Sequence, residues 1–322
     1  MAGKSNQILQ LCDAWRKIAY GNDGSLRIGR ESESFRLLEN NIRFHDLDFE
    51  EIQAACIGLN RVLLFKGMNT IISSDHAFFW SWIAEVLLNR DTGYFTEKEE
   101  DIKKLFLTCT RASLAEIQNP QMEWEEVAKR NDLMEFNTSE LVKNRNLILA
   151  YLSFPLLEAI LKKACHNYVD YSGKVLKDFE IRGRRGKTGR RKRDQSYGPN
   201  GNGRKYTISS LGDLLILLYD NVASQDLKDK LTSIRSDIEG IDDSEDPFYV
   251  IYGWRNSSLH GQAGYPTIGG TLLNIAIIIA LDVIKDNYDE IRQCVWDRVQ
   301  WDARSYTSTS SRPHWSYYPP YM

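Results

Sequence analysis

Cysteine is scarce and scattered: Cys12, Cys56, Cys109, Cys165 and Cys294, with no Cys-x-x-Cys pair. That spacing excludes a zinc ribbon and a redox dithiol, and it implies reduced thiols in a cytoplasmic protein. Histidine is also sparse, at five residues, and no His/Cys group has metal-ligand spacing. No metal or cofactor is therefore expected. A net charge of only −3 does not mark the whole chain as a nucleic-acid binder. Lys4, Asp13, Arg16 and Lys17 break up any apolar run at the start, so no cleavable signal is expected. Residues 261–281 carry no charge. Their first third is Gly, Pro and polar, however, and the continuous apolar part has the length of a buried core helix. No membrane contact is expected.

What is present is helical periodicity. With 322 residues and 42% apolar content, the chain can build one large or two ordinary domains. Residues 5–20 place Ile8, Leu11, Cys12, Trp15, Ile18 and Ala19 on one helical face. A short helix is predicted over 33–44 and a stronger one from Asp48. An aromatic-rich helix capped by Ser74 or Asp75 follows, with His76 in its first turn. Thr96 and Glu99 form a capping-box pattern for the next helix, and Met122 to Met134 is a weaker one. Residues 1–137 show no convincing strand alternation and no Gly-rich phosphate loop. The expectation is an all-α protein: a helical N-terminal region (1–137), a C-terminal bundle (138–300) and an aromatic-rich tail (301–322).

In the C-terminal half, Leu141 through Val169 reads as a long helical stretch, which Pro155 should kink or restart near Ser153. Ser209 or Ser210 caps the next helix, and a polar helix spans about 225–238. Asp246-Pro247 reads as an N-cap with Pro at the first helical position. Gly264, Pro266, Gly269 and Gly270 are expected to hold their segment out of helix. Leu272 to Ile284 is apolar almost all round, as in a buried helix.

The helix that starts at Asp246 carries Arg255-Asn256 and ends at His260-Gly261. Of three Arg-Asn pairs in the chain, only this one is followed by His four residues after the Asn. Arginine is a permanent cation whose planar fork fits phosphate, and histidine moves protons near neutral pH. A phosphate clamp beside a proton shuttle suits RNA cleavage, in which the ribose 2′-hydroxyl supplies the nucleophile. The bland alternative is a helix end whose basic residues favour the C-terminal dipole. Five residues apart on an ideal helix, Arg255 and His260 lie about 140° from each other. The helix end or a second subunit must bring them together.

This motif and helix order, over roughly 140–295, resemble the HEPN superfamily, whose signature is Arg-(polar)-x3-5-His near the last helix. The resemblance implies a metal-independent endoribonuclease. Arg255 would hold the scissile phosphate, Asn256 would orient His260 or the ribose, and His260 would be the general acid or base. Such domains often carry an acidic residue on their first helix, and Glu158 fits; its competing role is an i, i+4 pair with Lys162. Members usually dimerise with two motifs facing one cleft, so a homodimer is expected, with residues around Leu272 to Val283 as a candidate interface. A toxin or anti-phage role, restrained by a regulatory partner or antitoxin, is what the family suggests. The alternatives are a non-catalytic HEPN-like module binding nucleotide, RNA or a protein, and a purely structural helical adaptor.

One segment lies outside the family pattern: IRGRRGKTGRRKRDQSYGPNGNGRK, residues 181–205. Its net charge is +9, which leaves −12 on the rest. The cations are Arg182, Arg184, Arg185, Lys187, Arg190, Arg191, Lys192, Arg193, Arg204 and Lys205. Crowded like charges repel unless an anion neutralises them. A flexible, exposed RNA-binding arm is expected, the alternative being a loop that aids solubility or docks on an acidic partner.

Overall fold

Helix α1 (Lys4–Ala19) turns Ile8, Cys12, Trp15 and Ala19 inward against α3 (Phe49–Leu63). In this computed structural model the described residues are 3–19, 30–64, 72–89, 92–114, 141–201, 203–259 and 264–305. The helix predicted over 33–44 is not continuous. A four-residue α2 (Arg30–Glu33) is followed by 3-10 turns at Leu38–Asn40 and Phe44–Asp46. One local and one distant feature break it. Asn41 takes a left-handed φ of 58°, and the Leu37 N–H donates to Asp75 Oδ2 at 2.7 Å rather than along a helix. Asp48 opens α3 with a reciprocal capping box to Glu51, which satisfies two orphan N–H groups.

Helix α4 (Ser74–Leu88) is capped by Ser73, one residue earlier than expected. Its first turn buries Asp75 and His76 completely. His76 Nε2 lies 2.9 Å from the Leu59 carbonyl, which can only accept, so Nε2 carries the proton. Nδ1 then accepts from the Ser73 hydroxyl at 2.7 Å. A neutral imidazole satisfies both contacts, so His76 is a structural residue. Burial holds its pKa down at about 4. Burial acts oppositely on Asp75, raising its carboxyl to about 6.

These two shifts oppose each other in pH dependence. As pH falls from 6.5 through 4, the unfolded chain protonates His76 before the folded one does, and stability is lost. As pH falls from 6 through 3.8, the folded chain protonates Asp75 first, and stability is gained. Asp75→Asn removes only the second effect. Relative to wild type, it should be more stable at pH 7 than at pH 4 by about 2 kcal/mol. Urea denaturation at the two pH values measures this, and a pH-independent difference would contradict the assignment.

The Thr96–Glu99 box leads into α5 (Glu100–Leu114), as expected. The weaker helix expected over 122–134 lies outside the described residues. Helix α6 (Arg145–Ala164) keeps Pro155 inside one helix instead of restarting near Ser153, and it ends at Ala164 rather than Val169. It is flanked by α5 and by α10 (Tyr265–Ile284), whose packing offsets the cost of the missing N–H.

Between α6 and the next helix lie the only strands among the described residues, β1 (Phe179–Ile181) and β2 (Gln195–Tyr197), paired antiparallel. The fold class is otherwise all-α. Ser210 caps α7 (Leu211–Leu217), which a π turn, Leu218–Val222, extends. Helices α8 (Gln225–Glu239) and α9 (Pro247–Leu259) follow. The Asp246 carboxylate accepts from the Phe248 N–H at 3.0 Å, confirming the predicted cap.

Gly269 and Gly270 do not interrupt the helix; they lie inside α10. A Cβ at Gly269 would meet Ala150 N of α6 at 2.8 Å, and one at Gly270 would meet Leu63 Cδ1 at 2.4 Å. These glycines serve close packing, not helix breaking. Leu272 through Leu281 are buried within the chain, which removes them as a dimer interface; only Val283 of that stretch is well exposed. Residues 265–301 form the one span among the described residues long and apolar enough to cross a membrane, and its apolar window is 83% buried. That is the behaviour of a core helix. Its buried Asn274 accepts from Trp80 Nε1 at 2.7 Å and lies 3.3 Å from Asn60 Oδ1, tying α10 to α4 and α3. The last helix, α11 (Tyr288–Ser305), runs past the expected start of the tail at 301. Arg298 pairs with buried Glu85 at 3.1 Å, and Trp296 stacks on His45 at 3.6 Å. Residues 306–322 lie outside the described ones.

Candidate functional site

Arg255 sits in the last turns of α9, with its side chain about two-fifths exposed. Its Nη1 lies 3.9 Å from Glu158 Oε2 on α6. The same carboxylate binds Lys162 at 2.8 Å, one turn further along α6. Glu158 thus makes the i, i+4 pair with Lys162 and also lies beside Arg255. At 3.9 Å the Arg255 contact is an ion pair without a hydrogen bond. Among the described residues, Arg255 makes no hydrogen bond, so its donor fork is open. A partly exposed pair of this kind is worth about 0–1 kcal/mol, and a phosphate could displace the carboxylate at little cost. Asn256 is exposed on the same helix. His260 and Gly261 lie outside the described residues.

A second polar cluster adjoins this one. Lys162 Nζ donates to the Tyr171 carbonyl at 3.1 Å, and the Tyr171 hydroxyl donates to Glu99. Glu99 also receives Lys163 Nζ at 2.6 and 2.7 Å. Burial would raise the Glu99 carboxyl, but Lys163, the Thr96 N–H and the Tyr171 hydroxyl outweigh it and hold the pKa at about 2. Sequence reading saw Glu99 only as a cap. Lys163 is 64 residues away, and no local pattern connects them. Among the described residues, no three His, Cys, Asp or Glu side chains gather closely enough to share a metal ion.

The basic segment is not a flexible arm. It folds as the β1–β2 hairpin and its extension, and half of its cations meet the protein's own carboxylates. Arg184 binds Asp220 at 2.7 Å and approaches Asp246 at 3.6 Å. Arg185 binds Glu239 at 3.0 Å, and Lys192 reaches Glu245 at 3.7 Å while sitting 3.3 Å above the Tyr249 ring. Arg191 pairs with Asp194, and Arg204 with Asp178. Half of these anions, Glu239, Glu245 and Asp246, come from the acidic connector 239–246 that leads into α9. The Asp246 N–H also donates to the Arg185 carbonyl at 2.8 Å, so one residue both caps α9 and anchors the hairpin. Asp246 is nine residues before Arg255, about 13 Å along the helix axis.

No family model matches the chain, and neither a curated protein nor a solved structure matches it.

Arg182, Lys187, Arg190 and Arg193 are exposed, and among the described residues none has a carboxylate within ion-pair distance. These four, with the exposed Lys205, are the cations of the segment that have no carboxylate partner among the described residues and are open to phosphate. Changing all four to Gln should weaken RNA binding and lower its salt slope by about 3, at roughly 0.7 per phosphate on single strands. Titrations of labelled RNA across a salt series measure this. A wild-type slope in the folded variant would show that these cations meet no phosphate.

Proposed function

We propose that the chain is a metal-independent endoribonuclease of the HEPN type. His260 takes the proton of the ribose 2′-hydroxyl, or returns one to the leaving 5′-oxygen. The 2′-oxygen attacks the adjacent phosphorus, the bond to the 5′-oxygen breaks, and that oxygen leaves protonated. The products are a 2′,3′-cyclic phosphate and a 5′-hydroxyl. Arg255 stabilises the negative charge that builds on the phosphoryl oxygens. Asn256 orients His260 or the ribose.

The observation that carries this reading is the approach of Arg255 to Glu158. Helix α9 with the motif and helix α6 with Glu158, far apart in sequence, meet at a partly exposed arginine that makes no hydrogen bond among the described residues. Two copies around a two-fold axis would place a second Arg and His at the same groove. Such an interface must lie outside the buried stretch 272–281. The deciding experiment is incubation with RNA in EDTA, followed by analysis of product ends. Cyclic-phosphate and 5′-hydroxyl ends support the reading; intact RNA, or 5′-phosphate ends, overturns it.

The second reading is a non-catalytic module that binds RNA, nucleotide or a partner protein. The observation favouring it is that Glu158 already opposes the charge of Arg255. Binding of RNA with no cleavage would select it.

A further inference from the structure

A cavity of about 450 Å³ opens between the end of the basic segment and the start of α7. Its volume falls within the usual range for small-molecule sites, about 300–1,000 Å³. Lys205 and Arg204, the latter in a surface pair with Asp178 that a phosphate could displace, supply two cations to its lining, Ser209 supplies a hydroxyl, and Tyr206 supplies a phenol ring. Tyr206 is 63% exposed, unusual for a large aromatic whose backbone is fixed. Its carbonyl accepts from the Val175 N–H at 2.9 Å, and Thr207 next to it bridges to Lys174. The ring is therefore presented from an ordered segment.

Two buried groups complete the lining, Tyr197 and Asp213. The Tyr197 hydroxyl donates to Asp213 Oδ2 at 2.8 Å, and its ring stacks on Phe179 at 4.8 Å. This pair is rigid and polar. A lipid tail would leave both cations and the buried carboxylate unused. An acidic peptide would gain from the cations but would leave the exposed ring and the buried carboxylate without a role. A nucleotide uses all three features: phosphate for cations, base for ring, and base N–H groups for the carboxylate.

We propose that this cavity holds one nucleotide of a single-stranded RNA. Its phosphate lies against Arg204 and Lys205, and its base stacks on Tyr206 with an N–H edge toward Asp213. The inference rests on the reading that the chain engages RNA, but it does not require that RNA be cut. Stacking tolerates any base, so the site adds affinity and fixes register on the strand rather than reading sequence.

The test uses the full chain and a fluorescein-labelled octamer of 2′-O-methyluridine. That probe lacks a free 2′-hydroxyl and stays intact whether or not the protein is a ribonuclease. An abasic phosphodiester of equal length is the second probe. Tyr206→Ala should weaken octamer binding about fivefold or more, the lower end for loss of one stacked base. Tyr206→Phe should bind as wild type does. Neither change should affect the abasic probe, whereas Lys205→Gln should weaken both probes. Unchanged octamer binding by Tyr206→Ala, or an equal loss on both probes, overturns the proposal. So does failure of the wild type to bind the octamer. Cleavage of unmodified RNA, assayed in parallel, separates the outcomes. Stacking without cleavage leaves this site standing and removes the ribonuclease, and cleavage without stacking does the reverse.

Discussion

His260→Ala is expected to lower RNA cleavage by at least about a hundredfold, the scale for removing a general acid–base group. Arg255→Ala should cost about as much, because charge on the phosphoryl oxygens would then meet only water. Arg255→Lys should fall between Arg255→Ala and wild type: the charge remains, but the planar two-donor fork is lost. Glu158→Gln is the informative contrast. Its contact with Arg255 is 3.9 Å long and partly exposed, so losing it should change the rate by less than about fivefold. Initial rates in EDTA, with circular dichroism to check folding, give all four values. Wild-type cleavage by folded His260→Ala protein would remove His260 from the mechanism. Mixing Arg255→Ala with His260→Ala chains extends the test. If residues act across a two-fold interface, mixed dimers recover activity.

The second large effect is on stability. Gly269→Val should destabilise the protein by about 3 kcal/mol or more, at or above the upper end for overpacking a well-filled core. A Cβ there would press on the backbone of α6, at 2.8 Å from Ala150 N and 3.0 Å from Ala150 Cα. Backbone cannot rotate away, so the helices must separate. Gly270→Ala meets side chains instead, Leu63 and Trp80, and these can shift slightly. It should cost less, about 1–3 kcal/mol. Gly253→Ala in α9 meets only Glu245 Oε1 at 3.6 Å. There the gain in helix propensity should leave stability unchanged or raise it by up to about 1 kcal/mol. Urea denaturation of the three variants gives the order, and equal stability of Gly269→Val and wild type would refute the packing argument.

Those glycines also show where sequence reading stopped. A Gly-Gly pair beside a proline reads as a helix breaker on local grounds. What decides its role is Ala150, over a hundred residues away, and a partner at that distance leaves no local signal. Two caps were legible because they are local: Thr96 with Glu99 and Asp246 with Phe248 each fall within one turn. Apolar periodicity gave α1, α3 and the Leu272–Ile284 part of α10 for the same reason. The helix expected over 33–44 failed because Asp75, distant in sequence, takes the Leu37 N–H. In the candidate site, Arg255 and Asn256 were legible from spacing and Glu158 from resemblance. Tyr206 and Asp213, which line the separate cavity at the start of α7, were not, since an exposed tyrosine and a first-turn aspartate are ordinary until a cavity lies between them.

The self-pairing of the basic hairpin has a thermodynamic consequence. When RNA takes a cation that was surrounded by solvent ions, counterions are released, and that release drives the salt dependence of binding. Arg184, Arg185 and Lys192 start from a different state, already opposite Asp220, Glu239 and Glu245. If RNA captures one of them, a carboxylate is left bare and must itself recruit a cation. The ion lost by the phosphate is regained by the protein, and the exchange is nearly invisible to salt. A salt titration would then undercount the phosphates that this hairpin contacts. Its shortfall against a direct footprint would equal the number of cations handed over from the acidic connector and its neighbours.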